Sequence, residues 1–256
     1  MKLTHTGRTA LVTGASRLIG IGAATCLELA RSGADIVFTH WSQYDHEQYG
    51  TPANEPEQLL AQIRELGVRA EAIEVDLSAA DCGPMTFDAA EAAIGKIDIL
   101  INNAAHSMHD DVRTLTVESL DQHYFVNARA SAMLTVEFAR RFTGSHGRVV
   151  SFSSGQHLGP MPNELAYAMS KGAIIAFAQS ISQDLIQQGI TINVINPGAT
   201  DTGWMSKELY EGIRAEHPAH RVGMPEDAAR AIAWLTSEEA FWINGQLLNS
   251  EGFYRG

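Results

Sequence analysis

The sequence predicts an α/β fold, one domain over residues 1–256 in which helices cover both faces of a doubly wound parallel sheet. Short apolar runs alternate along the chain with stretches of helical period. A glycine-bearing turn joins the first run to the first helix, and no linker, internal repeat or low-complexity tract divides the chain. Parallel strands joined by helices are covered on both faces, so they read as unbroken apolar runs and not as alternating ones.

Residues 9–13 form the first such run, closed by Gly14, and 23–32 carry the Ala/Leu pattern of a packed helix ended by Gly33. A strand over 35–39 follows, then a polar stretch over 40–56 to which no element is assigned, then a helix ending near Gly67. Strands are expected at 70–75 and 97–101, a mainly helical stretch at 117–142, a strand at 148–152, a helix at 166–188 stopped by Gly189, and a strand at 191–195. Sheets of this kind bind ligands at the carboxyl ends of their strands. Two Pro/Gly-bearing loops at such ends, 155–163 and 198–225, are therefore candidates for substrate contact.

The 18 Lys and Arg residues against 30 Asp and Glu leave a formal charge of -12, which repels nucleic acid and anionic lipid alike. No nucleic-acid or membrane partner is expected. The N-terminus lacks an apolar signal region and no window reaches the roughly 18 apolar residues that span a bilayer, so the expected location is cytoplasmic. Cys26 and Cys82 have no spacing that suggests a metal knot or redox dithiol, and Cys26 reads as a buried small hydrophobe. His40 and His46, and His106 and His109 beside Asp110 and Asp111, have metal-ligand side chains but no ligand framework, so no metal is expected. His106 and His157 follow strands and are expected to line a substrate pocket.

Two stretches carry chemistry. Thr13-Gly14-Ala15-Ser16-Arg17-Leu18-Ile19-Gly20-Ile21-Gly22 lies between a strand and a helix, where glycines admit a pyrophosphate to the backbone and the helix N-terminus supplies oriented N–H groups. Tyr167 and Lys171 stand four positions apart in a helical stretch, so both project from one face. A free tyrosine has a pKa of about 10, and a neighbouring ammonium is what stabilises its phenolate near neutral pH. Such a tyrosine is a base towards an alcohol and an acid towards a developing alkoxide.

Taken in order, these stretches resemble the classical short-chain dehydrogenase/reductase family, whose turn reads TGxxxGxG, and the resemblance runs from about Gly7 to Gly252. The turn departs from that pattern by two extra residues, with Leu18 near the place of a glycine. The resemblance implies a Rossmann-like fold and dinucleotide contacts at Gly14, Ser16, Arg17, Gly20, Ile21 and Gly22. In Val75-Asp76-Leu77 it implies that Asp76 bonds the adenine amino group beside Leu77. Asn102-Asn103-Ala104-Ala105 ends in alanine where the family has glycine, and Asn103 and Ala104 are carried over as contacts.

Ser154, 13 residues before Tyr167, matches the catalytic serine that polarises the carbonyl; Ser153 is chemically equivalent, and the choice between them rests on the resemblance. Asn127 fits the fourth catalytic position, where a helix irregularity orients a relay water. Pro197, Gly198, Thr200 and Thr202 match the segment bordering the nicotinamide, with Thr202 on its carboxamide. Lys171 is also implied to hold the nicotinamide ribose, and Tyr167 to border it. Residues to about Arg221 are implied to cover the substrate, Gly245 to Leu248 to supply the last strand, and helices over 117–142 and 166–188 to assemble a homotetramer.

His40 stands near where an acid that selects NAD would follow the second strand, and Arg17 is the one cation of the turn. Together they tilt the expected cofactor towards NADP(H), with NAD(H) left open. The expected activity is interconversion of a carbonyl and a secondary alcohol, as a reductase of 3-oxoacyl-type or other ketones. An NAD-linked dehydrogenase of a sugar or other secondary alcohol is the alternative. A nucleotide-binding sensor without turnover is a third reading, against which the complete set of Ser154, Tyr167, Lys171 and Asn127 argues.

Overall fold

Strand β1 (Thr9–Val12) is buried along its whole length, which only a place at the centre of a covered sheet allows. The computed structural model describes residues 4–253; positions 1–3 and 254–256 of the predicted domain lie outside the described residues. In it β1 is flanked by β2 (Asp35–His40) and β4 (Ile99–Asn102). With β3 (Ala70–Glu74), β5 (Gly147–Phe152), β6 (Ile190–Asn196) and β7 (Leu247–Asn249) these form one parallel sheet of seven strands, ordered β3-β2-β1-β4-β5-β6-β7. The order reverses between β1 and β4, and a crevice opens there at the carboxyl ends of the strands. Register keeps those ends level, since Val12 pairs with both Phe38 and Ile101, and Phe152 with Ile195.

Successive side chains of a strand point to opposite faces, and the sheet uses both. Ala10 and Val12 join a core with Leu29, Phe38, Ile63 and Ile232 beneath α1 (Ile21–Arg31), α3 (Glu55–Glu65) and α9 (Pro225–Leu235). Leu11 joins the opposite core with Phe87, Leu134, Phe138 and Ile192 beneath α4 (Cys82–Ile94), α6 (Ser131–Arg141) and α7 (Leu165–Gln187). Cys26 is fully buried in the first core, and burial pushes its thiol pKa up. Among the described residues no helix is long and apolar enough to cross a membrane.

The strands fall within one or two residues of their predicted ends. The polar stretch over 40–56 differs, because it contains α2 (Ser42–Tyr49), closed by Gly50 in the left-handed region at φ 64. No residue of α2 is buried, so no apolar stripe announces it. The stretch over 117–142 is three segments: α5 (Val117–His123), a π-helical turn (Tyr124–Ala130) and α6. The long loop carries α8 (Lys207–Glu216), whose first turn is capped by the Ser206 hydroxyl accepting the Leu209 N–H. Helix α4, to which no element was assigned from sequence, packs on α6.

Phe138 is 1% exposed, with the Phe142 ring 5.3 Å and the Phe87 ring 6.3 Å away. Phe138→Ala is expected to lower stability by about 3–5 kcal/mol, read as a drop in the urea midpoint at unchanged slope.

Candidate active site

The glycine-rich turn is fixed by what approaches it. The Thr13 hydroxyl accepts the N–H groups of Asn103 and Ala104, each at 3.1 Å, and the Asn103 amide donates to the carbonyls of Thr13 and Gly14. Gly14 has φ 69, and a Cβ there would lie 2.5 Å from the Ala104 Cα. A Cβ on Gly22 would lie 2.7 Å from the Asn103 amide nitrogen. Both positions require glycine for close approach of backbone. In the lengthened turn Leu18 packs against the first core and Ile19 is exposed; the Leu18 N–H donates to Glu55 of α3 at 2.7 Å, and the Gly20 N–H returns to the Arg17 carbonyl at 2.9 Å. Gly20 is extended and no side chain caps α1, so its first turn can accept an anion.

Arg17 does not point to the end of β2. Its guanidinium donates to the Thr202 carbonyl at 2.5 Å and lies 3.9 Å over the Tyr49 ring. The turn is thereby tied both to α2 and to the loop after β6.

Helix α7 presents Tyr167 and Lys171 on one face. Asp110, 5% exposed and held by the Ser119 hydroxyl, accepts the N–H groups of Leu165 at 2.6 Å and Ala166 at 3.2 Å, fixing the first turn just before Tyr167. The Lys171 ammonium donates to the Phe152 carbonyl at 3.1 Å and lies 5.5 Å from the Tyr167 ring centre. Burial alone brings Lys171 down to about 8. Burial pushes the Tyr167 phenol well above its ordinary value; the Glu164 charge adds to this, and a hydrogen bond with Ser154 opposes it. Ser153, by contrast, accepts from the Gln156 amide at 2.9 Å. The two serines are thus distinguished by their partners, and Ser154 is the one joined to Tyr167.

Asn127 is fully buried in the π-helical turn. Its carbonyl accepts the His106 N–H at 2.7 Å, and its amide donates to the His106 carbonyl and the Ser170 hydroxyl. It ties the turn to the segment after β4. His157 bonds the Asn249 side chain and meets the Ser154 carbonyl.

Two adjoining cavities follow the strand ends. The larger, about 1060 Å³, is lined by Ser154, Tyr167 and Lys171 together with Gly14, Arg17, Gly20, Ile21, Gly22, Asn103, Pro197, Gly198, Thr200 and Thr202. The smaller, about 490 Å³, is lined by Ser16, His40, Asp76, Leu77 and Ala104, and also by Gly14 and His106. Each position expected to contact a dinucleotide borders one or the other; Asn127 and His157 border neither. The residues fit a dinucleotide: two cavities that share lining residues, an uncapped helix N-terminus beside them and a buried ammonium on the larger. Among the described residues no group of three or more His, Cys, Asp or Glu side chains could hold a metal ion.

Sequence reasoning missed Tyr44, Asp45 and Gln48, which border both cavities, and Tyr49, which borders the larger; Met161 and Trp204, also on the larger, lie in the two loops expected to meet substrate. The first three and Tyr49 belong to α2. Gly50 as a left-handed helix end was the available signal for it.

A family model described as enoyl-(acyl carrier protein) reductase matches residues 14–252. The uncharacterized oxidoreductase YjdA of Bacillus subtilis is 47% identical over 251 residues, covering 96% of this chain and 97% of its own. The short chain dehydrogenase mdpC of Emericella nidulans is 31% identical, covering 96% and 94%. Among solved structures, the promiscuous reductase LugOII, which catalyses keto-reduction at C1 during lugdunomycin biosynthesis, superposes with a TM-score of 0.86 at 31% identity over 98% of both chains. The landomycin C-6 ketoreductase LanV, solved with NADP and rabelomycin, gives 0.84 at 30% identity over 96% of both. This chain belongs to the short-chain dehydrogenase/reductase family, oxidoreductases of the alcohol/carbonyl pair that use NAD(P).

Proposed function

We propose that the chain is a ketoreductase, carried by one observation: a part-buried phenol, Tyr167, hydrogen-bonded to Ser154 in a cavity that also holds the Lys171 ammonium. The phenol is protonated at neutral pH, the form in which reduction requires it, and the Lys171 charge offsets the upward push of burial once the proton leaves. Bound, the nicotinamide supplies the hydride. The Ser154 hydroxyl donates to the ketone oxygen, and as charge develops there the Tyr167 O–H transfers its proton to it. The phenolate left behind is stabilised by Lys171, still mostly charged at pH 7 with a pKa of about 8. Asn127, which borders neither cavity, serves by pinning the π-helical turn to the segment after β4 through His106.

Although Arg17 is turned away from the end of β2, His40 in place of an acid there supports use of NADP(H). So does the NADP held by the related ketoreductase LanV. Leu158, Pro160, Met161 and Trp204 line the larger cavity, an apolar wall suited to an extended or ring-bearing ketone, 3-oxoacyl-type ketones included, and ill-suited to a sugar. Exposed Val117, Tyr124 and Met169, on α5, the π-helical turn and α7, support assembly through these helices into a homotetramer. Light scattering is expected to give the mass of four chains; the mass of one contradicts the assembly.

Tyr167→Phe is expected to slow NADPH-dependent reduction of a ketone panel by about 10²–10⁴-fold while NADPH still binds. Undiminished turnover in that variant contradicts the assignment. Lys171 titrates at about 8 in the fold against 10.5 ordinarily, so between these values the unfolded chain binds the extra proton and stability rises with pH. Urea titrations of the unliganded protein from pH 8 to 10 are expected to show a gain of about 2 kcal/mol relative to Lys171→Met. Parallel profiles for the two proteins contradict it.

A further inference from the structure

Helix α2 crosses the cleft where the two cavities meet. Its start is held by the Trp41 N–H donating to the Ser16 hydroxyl at 3.3 Å, its middle by the Ser107 N–H donating to the Tyr44 hydroxyl at 3.2 Å, and its end by Arg17 on the Tyr49 ring. These contacts aim Asp45 into the cleft, where it borders both cavities. The Ser16 hydroxyl, already accepting from Trp41, hydrogen-bonds the Asp45 carboxylate, and His40 and Arg17 are close enough to act on its charge. The next helix therefore brings an acid to the cavity that His40 at the end of β2 also lines.

The charge around the smaller cavity agrees. Asp45, Glu47 and Asp76 line it, with no Lys or Arg among its described lining residues, while Arg17 opens on the larger cavity. A carboxylate beside a ribose accepts from its hydroxyls and repels a 2′-phosphate. Resting on the dinucleotide reading above, we propose that Asp45 binds the adenosine ribose hydroxyls and lets the chain take NAD(H) alongside NADP(H). Asp45 moves the ratio of the two affinities towards NAD(H), and α2 is part of the dinucleotide site.

The test is fluorescence titration of the full-length protein with NADH and with NADPH. Asp45→Asn is expected to weaken NADH and tighten NADPH, moving the ratio of dissociation constants roughly tenfold towards NADPH. A ratio that moves less than about twofold overturns the inference. Should the variant fail to fold, hydrogen exchange on the wild type decides: NADH is expected to protect residues 42–49. Protection of the 14–22 turn without any over α2 overturns it. A wild-type chain that binds neither dinucleotide overturns this inference and the reading it rests on together, whereas binding with an unmoved ratio overturns this one alone.

Discussion

A lysine ammonium buried beside a phenol is the arrangement on which the rest of the structure turns. Burial disfavours the charge on Lys171 and on a Tyr167 phenolate alike, so each group works only while the other is held within reach. One helical face fixes their mutual distance, and the Phe152 carbonyl at the end of β5 fixes the ammonium against the sheet. Asp110 then clamps the first turn of α7 from outside the helix. The two cores serve the same end, because they hold the ends of β1, β4, β5 and β6 level beneath one cleft.

Much of this was legible in the sequence, for reasons that differ by element. Strands such as β1, β5 and β6 are buried throughout and so appear as unbroken apolar runs. The spacing of Tyr167 and Lys171 fixes a shared face once the stretch is helical. Ser153 and Ser154 could not be separated by type or position, since the difference lies in Gln156 and Tyr167, each brought by a different segment. Asn127 could be marked as an oddity inside a helical pattern, but the π-helical turn it pins depends on His106, 21 residues away in the chain.

The two-residue extension of the glycine-rich turn was visible as a departure, and its consequence was not. Leu18 reaches Glu55, while Arg17 reaches Thr202 and Tyr49, so the extra length is used by partners far along the chain. Helix α2 was hidden because its surroundings are the cleft and solvent, with no core face to impose a period. The residues that sequence reasoning missed are therefore concentrated where the chain faces ligand.

The Lys171 charge lowers the cost of a phenolate at Tyr167 once a dinucleotide is bound. The most direct measure of this effect is the titration of the Tyr167 ring carbon by NMR, with labelled tyrosine and NADP+ present, in the wild type and in Lys171→Met. Tyr167 is expected to titrate at lower pH in the wild type than in the variant; coincident titrations would show that the ammonium does not act on the phenol.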